Sequence, residues 1–197
     1  MRSSEKGYYA SFRQVVRAIG STLALQEVMD MLVKNVTEVM GLKACAIRLV
    51  DAKTRRLELL SAYGLSEQYI GKGPVQADKS IADAMKGKTV CVRDVRQDER
   101  IQYQQEAIKE GIAGIVSVPL ILKSRVIGVL RFYTSKPRDF SPDELGFAEA
   151  LAEMGALSIA NARMYETLKQ DYEDVMGAVL GRLQSPENRL FPPDFSE

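Results

Sequence analysis

One segment, residues 111–144, constrains the fold of this chain more than any other part of the sequence. Two runs rich in β-branched and aromatic residues, 115–122 and 125–134, flank a short turn at Lys123 and Ser124. Runs of this composition on either side of a two-residue turn are typical of a β-hairpin. The sequence therefore predicts a pair of antiparallel strands here.

A strong helix start follows the predicted hairpin. Ser141 can cap the helix, Pro142 suits its first position, and Glu144 can complete a capping box. Phe140, just before the cap, is placed to pack against Leu145 as a hydrophobic staple. A hairpin that leads directly into a strongly capped, long helix predicts a domain with both helices and sheet.

Hydrophobic periodicity predicts the remaining elements. Apolar residues at helical spacing predict helices over 5–19 and 25–40, and the final helix extends from 142 to about 183. Strands are predicted at 44–50, 56–63 and 89–93, a loop with a short helix at 65–79, and short helices at 81–86 and 101–110. This order predicts an α+β fold, with an antiparallel sheet that has helices on one face and loops on the other. The tail after Ser185 and Pro186 is predicted to be loose.

The last part of the final helix carries a second apolar stripe. Its residues follow steps of three and four: Tyr165, Leu168, Tyr172, Val175, Val179 and Leu183. Such a stripe is typical of a seam for another helix, although Gly177 and Gly181 weaken the helix by about 1 kcal/mol each relative to alanine.

Composition and charge exclude several classes of function. Lysine and arginine number 27 and aspartate and glutamate 26, so the net charge of +1 argues against a nucleic-acid-binding domain or a polybasic membrane patch. No apolar run is long enough to span a bilayer, and the N-terminus has no apolar core of a signal peptide. We therefore expect a cytoplasmic protein.

The chain contains no histidine, which removes Ser-His-Asp and Cys-His nucleophile pairs, histidine-ligated haem and histidine-containing zinc sites. Cys45 and Cys91 both lie in strand-like runs, and we expect two buried, reduced thiols.

The ordered set of segments resembles the GAF family, a class of sensory domains that bind small molecules. The resemblance covers residues 22–165 and is carried by LQEVMDMLVKNVTEVMGLKACAIRLV, GKTVCVRDVRQDERI, SVPLILKSRVIGVLRFY and FSPDELGFAEALAEMGALSIANARMYE. It implies a central antiparallel sheet of five or six strands, with residues 65–113 as a lid over a ligand cavity. It also implies a dimerising N-terminal helix (1–21), a GAF-like domain (22–165) and a helical extension with a loose tail (166–197).

The resemblance also makes strands 44–50 and 125–134 neighbours in the sheet. Strand alternation would then place Arg48 and Arg131 on the same side, where two guanidinium groups can bind an anion. The alternatives are that they pair with Glu58 or another acid, or that they face solvent. Further candidates for the pocket wall are Tyr63, Tyr103, Tyr133 and Ser117.

The better-known ligands of the family fit this sequence poorly. Bilin-binding and haem-binding members rely on histidine, so neither cofactor is expected. Cyclic-nucleotide-binding members carry an Asn-Lys pair where this chain has Ser135 and Lys136. Free methionine sulfoxide reductases use lid cysteines, and neither Cys45 nor Cys91 lies at those positions. The ligand therefore stays unidentified.

We interpret the chain as a cytoplasmic, bacterial-type GAF sensor rather than an enzyme, with a small-molecule ligand and paired terminal helices in a homodimer. A signalling partner protein is possible, because no output domain is visible; otherwise the chain is one piece of a longer protein. The alternatives are a ligandless dimerisation or protein-interaction module and, less favoured, a cyclic-nucleotide-binding domain or a thiol-based reductase.

Overall fold

A computed structural model describes residues 3–21, 25–51, 53–54, 56–76 and 81–184 of the chain. The chain divides into two compact units, residues 1–160 and residues 161–197. The helices are α1 (Ser3–Ser21), α2 (Leu25–Val39), α3 (Glu67–Ile70), α4 (Gln104–Lys109) and α5 (Pro142–Gln184). The strands are β1 (Ala44–Val50), β2 (Arg56–Tyr63), β3 (Val75–Gln76), β4 (Val90–Val92), β5 (Gly114–Leu122) and β6 (Arg125–Thr134). The predicted loose tail lies outside the described residues.

The six strands form one antiparallel sheet in the order β3-β2-β1-β6-β5-β4. β1 therefore lies between β2 and β6, so the first and last long strands are neighbours, as the family resemblance implies. Opposite partners in the β1 and β6 pair include Ala46 with Arg131 and Arg48 with Val129. The α+β fold with a six-stranded antiparallel sheet confirms the predicted fold class.

The main hydrophobic core lies between one face of the sheet and the helices. Its buried residues come from α2, from alternate positions of the strands and from the first part of α5; they include Met29, Leu32, Val36, Ile47, Leu120, Phe132, Leu151 and Ile159. Burial of alternate strand residues is what a sheet covered on this face requires.

Helix α1 packs within this same core. Val15 is buried, Phe12 packs against the core, and the ring of Tyr8 stacks on that of Phe147 with centroids 4.7 Å apart. Tyr9 and Val16 are exposed. Tyr8, Phe12 and Val15, which lie on one apolar face of α1, therefore pack against the core of the first unit.

The hairpin and the helix start have the predicted local geometry. Lys123 and Ser124 both adopt positive φ angles, 46° and 64°, as a two-residue hairpin turn requires. At the start of α5, the Ser141 backbone N–H donates to Glu144 Oε2 (2.8 Å) and the Glu144 N–H donates to Ser141 Oγ (3.2 Å). This reciprocal pair is the predicted capping box.

The opposite face of the sheet is covered by described parts of residues 65–113, called the lid here. The same segment contributes the edge strands β3 and β4. Two smaller apolar clusters lie beneath it, one around Tyr69, Ile115 and Tyr133 and one around Leu57 and Ile81. Two predicted lid helices are shorter than expected. Only Ala84–Lys86 forms a 3-10 turn in the predicted helix 81–86. Helix α4 begins at Gln104, since Gln102 and Tyr103 form a turn.

The second unit, described by itself, is helical up to Gln184. Its large apolar side chains are exposed: Met164, Tyr165, Leu168, Tyr172, Val175, Met176, Val179 and Leu180. In the described part of the chain, no helix is long and apolar enough to cross a membrane.

Candidate functional site

Strand register brings two arginines together on the lid face of the sheet. Arg131 on β6 lies opposite Ala46 of β1 and Ser117 of β5, and Arg48 lies two residues along β1 from Ala46. Because side chains alternate along a strand, Arg48, Arg131 and Ser117 all belong to the face that the lid covers. The bulge in β2, between the partners of Ile47 and Arg48, keeps Leu59 on this face as well.

Both guanidinium groups are buried, and both are incompletely hydrogen-bonded. Arg48 and Arg131 are each only 4% exposed. Arg48 Nη1 donates to the carbonyl of Leu57 at 3.4 Å, whereas Arg48 Nε, Arg48 Nη2 and Arg131 Nε have no partner among the described residues. Nε and Nη2 form one edge of the guanidinium plane, the edge that binds a carboxylate or phosphate through two parallel hydrogen bonds.

Neither sequence-based alternative for these arginines describes their surroundings. Glu58 lies opposite Leu49, on the helix face of the sheet, and the ion pairs between described residues involve neither Arg48 nor Arg131. Burial lowers the pKa of Arg48. Tyr133 opposes this effect through its charge and a side-chain hydrogen bond, and Arg131 reinforces it. An arginine stays protonated in spite of such a shift, so the site holds positive charge.

Two tyrosines form the wall beside the arginines. Tyr133 and Tyr69 are buried, and their rings meet edge to face with centroids 6.1 Å apart. Arg131 Cζ lies 5.6 Å from the centroid of the Tyr133 ring. Burial, followed by the neighbouring Tyr133, raises the pKa of the Tyr69 hydroxyl, which therefore stays protonated and able to donate a hydrogen bond.

A third basic group comes from the lid. Lys72, just after α3, places its Nζ 3.6 Å from the centroid of the Tyr69 ring and donates to the Tyr69 carbonyl at 2.9 Å. Burial, followed by repulsion from Arg48 and Arg131, lowers the pKa of Lys72 to about 7, although Glu110 and Glu106 oppose this effect.

Tyr103 joins two parts of the lid. Its hydroxyl donates to the carbonyl of Pro74 at 3.0 Å, and its ring lies 5.7 Å from Lys72 Nζ. Gly73 has a φ of +121°, and a Cβ at this position would lie 2.8 Å from the Tyr103 hydroxyl. The backbone conformation at this position therefore requires glycine, and a side chain there would also displace the end of Tyr103.

Glu110 holds the two ends of the lid together. Its carboxylate accepts from the backbone N–H of Ser66 at 2.9 Å and from the Ser66 hydroxyl, and it lies 3.6 Å from Lys43 Nζ. Ser66 is also the N-cap of α3. Partial burial acts to raise the pKa of Glu110, but the Ser66 hydrogen bonds and the Lys43 charge outweigh it and lower that pKa.

The structure brings together five of the six candidate residues from the sequence. Arg48, Arg131, Tyr133 and Ser117 lie on the lid face, and Tyr103 lies in the lid above it. Tyr63 is opposite Cys45, on the helix face, and is 39% exposed. Sequence reasoning missed Tyr69 and Lys72; the N-cap serine three residues before Tyr69 was the one signal of ordered structure there.

Charged residues are dense over Arg93–Arg100 of the lid, and two of the arginines there pair with nearby aspartates. Arg96 binds Asp94 and Arg100 binds Asp98, each through two guanidinium nitrogens at 2.6–2.9 Å. Both arginines are more than half exposed. These side chains therefore form solvated surface pairs.

The two thiols have the environment of structural cysteines. Burial raises the pKa of Cys45 well above its usual range, and partial burial with the charges of Asp139 and Glu149 raises that of Cys91. Cys91 is exposed on the edge strand β4, which corrects the expectation that both are buried. A raised pKa lowers the fraction of reactive thiolate. Within the described residues, no group of three or more cysteine, aspartate and glutamate side chains could hold a metal ion.

The fold and the lidded sheet face define a class of regulatory and sensory domain. The family model for the GAF domain matches residues 22–160, and the chain belongs to this family. A comparison with curated protein sequences gives no match.

Solved structures of the same fold come from several kinds of protein. The GAF domain of an Acinetobacter phosphoenolpyruvate-protein phosphotransferase is 24% identical, with a TM-score of 0.69, and the match covers 83% of this chain and 97% of that one. The corresponding domain from Coxiella burnetii is 18% identical, with a TM-score of 0.75 and coverage of 84% and 99%. A Neisseria meningitidis free methionine-R-sulfoxide reductase is 19% identical, with a TM-score of 0.70 and coverage of 80% and 91%. At these identities the likeness establishes the fold.

Proposed function

We propose that this chain is a sensory GAF domain that binds a small anionic molecule between the sheet and the lid. The observation that carries the proposal is the pair of buried arginines, because their free N–H groups point to a missing acceptor. A buried, unpaired guanidinium group costs free energy unless a partner completes its hydrogen bonds. A bound carboxylate or phosphate would supply that partner.

The raised pKa values of the two cysteine thiols favour a regulatory role over a catalytic one. The proposal of a thiol-based reductase needs a cysteine with a lowered pKa and a second reactive group near it, and both cysteines have raised pKa values. We therefore propose a domain that reports ligand binding and is not itself an enzyme. A cytoplasmic location stays a prediction.

We propose that the second unit, residues 161–197, transmits the effect of ligand binding. The exposed residues Tyr165, Leu168, Tyr172, Val175 and Val179 recur at steps of three and four, which is the pattern of a two-helix seam. We propose that α5 pairs in parallel with α5 of a second copy, and that ligand binding changes the equilibrium between two packings of this pair.

Native mass spectrometry of gently purified protein tests the ligand. We expect an added mass on the wild-type chain that disappears from the double variant Arg48→Met, Arg131→Met. It should persist in the control variant Arg56→Met, Arg125→Met, because both control arginines are exposed and lie at the first positions of β2 and β6, away from the buried pair.

An added mass that survives in the double variant would place the ligand elsewhere. If the wild type carries no added mass, thermal shifts with nucleotides, sugar phosphates and di- or tricarboxylates provide the second readout. The absence of any shift across these anions would reject the anion site and favour the ligandless interaction module.

A further inference from the structure

Three basic side chains face the region between the sheet and the lid, and the described carboxylates near Lys72 do not outweigh the two arginines. Arg48 and Arg131 come from the sheet, and Lys72 comes from the lid. The nearest described carboxylates, Glu110 and Glu106, only partly offset the repulsion that the arginines exert on Lys72. Glu110 is itself engaged by Ser66 and Lys43.

The geometry points to a compact dianion as the ligand, held by the Arg48 and Arg131 pair from the sheet and by Lys72 from the lid. This inference rests on the proposed function and names the charge class of its ligand. The free edge of Arg48 matches two oxygens of one anionic group, and Arg131 Nε offers a further donor. A phosphate, a sulfate or a dicarboxylate has enough acceptor oxygens for these donors and for an ammonium group.

The position of Lys72 would allow its ammonium group to move onto a bound anion. Its Nζ rests on the Tyr69 ring at 3.6 Å, with one hydrogen bond, to the Tyr69 carbonyl. An ammonium group has three donors, so two others are available for a ligand. Its flexible stem allows Nζ to leave the aromatic face and reach an anion.

Ligand charge would then be coupled to the protonation of Lys72. The titratable and charged groups that influence it, or that lie beside it, come from the sheet (Arg48, Arg131, Tyr133), from its own segment (Tyr69) and from the rest of the lid (Tyr103, Glu106, Glu110). In the empty site, burial and the two arginines lower the pKa of Lys72 to about 7, so above pH 7 most molecules carry a neutral amine. A dianion favours the charged form, so binding above pH 7 takes up a proton and weakens as pH rises.

Sulfate is a suitable probe because it stays a dianion across the relevant pH range. The dissociation constant for sulfate is measured by following the arginine Nε–H resonances of the full chain at pH 6 and pH 8.5. We expect the affinity of the wild type to fall about tenfold or more over this interval, since each pH unit above the pKa of the empty site costs up to a factor of about ten. Acetate, a monoanion, is expected to bind at least tenfold more weakly than sulfate at pH 6. Inorganic phosphate and succinate then distinguish a phosphoryl ligand from a dicarboxylate.

Three lysine variants isolate the role of Lys72. Lys72→Arg should keep the affinity for sulfate and lose most of its pH dependence, because a guanidinium group stays charged. Lys72→Met should lose about tenfold in affinity at pH 6 and show little pH dependence. Lys109→Met, an exposed lid lysine, should behave as wild type.

The outcomes separate this inference from the proposed function. If Lys72→Met binds sulfate like wild type with the same pH profile, or if acetate binds as tightly as sulfate, the dianion clamp is wrong, and the arginine site stands. If no anion binds the wild type, or if binding is unchanged in Arg48→Met and Arg131→Met, the proposed function itself is rejected. Amide spectra that match those of wild type show that each variant is folded.

Discussion

Arg48 shows how ligand binding and stability make opposite demands on one residue. It is charged, 4% exposed, and lacks partners for two of its nitrogens among the described residues. Replacing an incompletely paired buried ion with an apolar side chain of similar length often stabilises a protein. In this domain the arginine is therefore expected to weaken the empty fold.

Substituting Arg48→Met should raise the free energy of unfolding of the unliganded protein by about 1–3 kcal/mol. Methionine is unbranched and fills irregular space, so the gain is not expected to be lost to a cavity. Urea denaturation measures the change, with the exposed Arg125→Met as control. A destabilised Arg48→Met variant would show that a partner already satisfies the guanidinium group.

The sequence predicted the arginine pair but not the lysine that faces it, for a physical reason. Strand alternation fixes the direction of Arg48 and Arg131 once β1 and β6 are neighbours. Lys72 lies between two glycines in a segment without periodicity, so no pattern assigns its direction. Alternation from Leu57 and Leu59 would place Tyr63 on the lid face, but the bulge in β2 moves it to the helix face, opposite Cys45.

At the level of elements, local signals determined how well each was predicted. The bounds of β1 and β2 agree with the prediction, because each apolar run ends at a turn residue, Asp51 after β1 and Gly64 after β2. β3 has only two residues within a glycine- and proline-containing loop, so it was not foreseen. It exists because Arg56 and Leu57 of β2 pair with Gln76 and Val75, a tertiary contact that no local pattern encodes.

The hairpin turn between β5 and β6 can be improved. Lys123 and Ser124 hold positive φ angles that cost a residue with a side chain about 1 kcal/mol each. Replacing them with Asn and Gly, the pair that this turn type favours, should raise the free energy of unfolding by about 1 kcal/mol. Chemical denaturation checks this. The single variant Lys123→Gly isolates the first position, and an unchanged midpoint in the double variant would contradict the expected strain.

Glu110 should control the stability of the lid and its response to acid. Its carboxylate has a lowered pKa, so the stability that it contributes is present above the ordinary glutamate range and is lost as pH falls through the lowered value. Glu110→Gln should destabilise the domain by about 1–2 kcal/mol near neutral pH and reduce the loss of stability below pH 5.

Hydrogen exchange locates the effect of Glu110→Gln. Faster exchange is expected in residues 65–113, with β1, β2 and β6 unchanged, and the exposed Glu106→Gln serves as the matched control. Uniformly faster exchange across α2 and β1 as well would contradict a local role for Glu110.

At the scale of the whole molecule, oligomeric state is the property that the exposed stripe of α5 predicts. Leu168→Glu with Val175→Glu should convert a dimer to a monomer in light scattering, because two acids would face each other across the seam. The control, Gln170→Glu with Gly177→Glu, adds the same charge at positions away from the stripe and should leave the dimer intact. A wild type that is monomeric at high concentration would contradict the paired-helix proposal.

The carboxylate of Glu110 has a consequence for how such domains diversify. The carboxylate accepts a hydrogen bond from Ser66, which is 44 positions away in sequence. The two ends of the segment between Ser66 and Glu110 therefore lie next to each other. The entropic free-energy cost of closing a loop grows only slowly with its length, by roughly 0.6 kcal/mol for each doubling. The segment between Ser66 and Glu110 contributes only the short edge strands β3 and β4, so its exchange for a shorter or longer segment should leave the four central strands in place. A graft at these two residues offers a direct way to give the scaffold a new ligand preference.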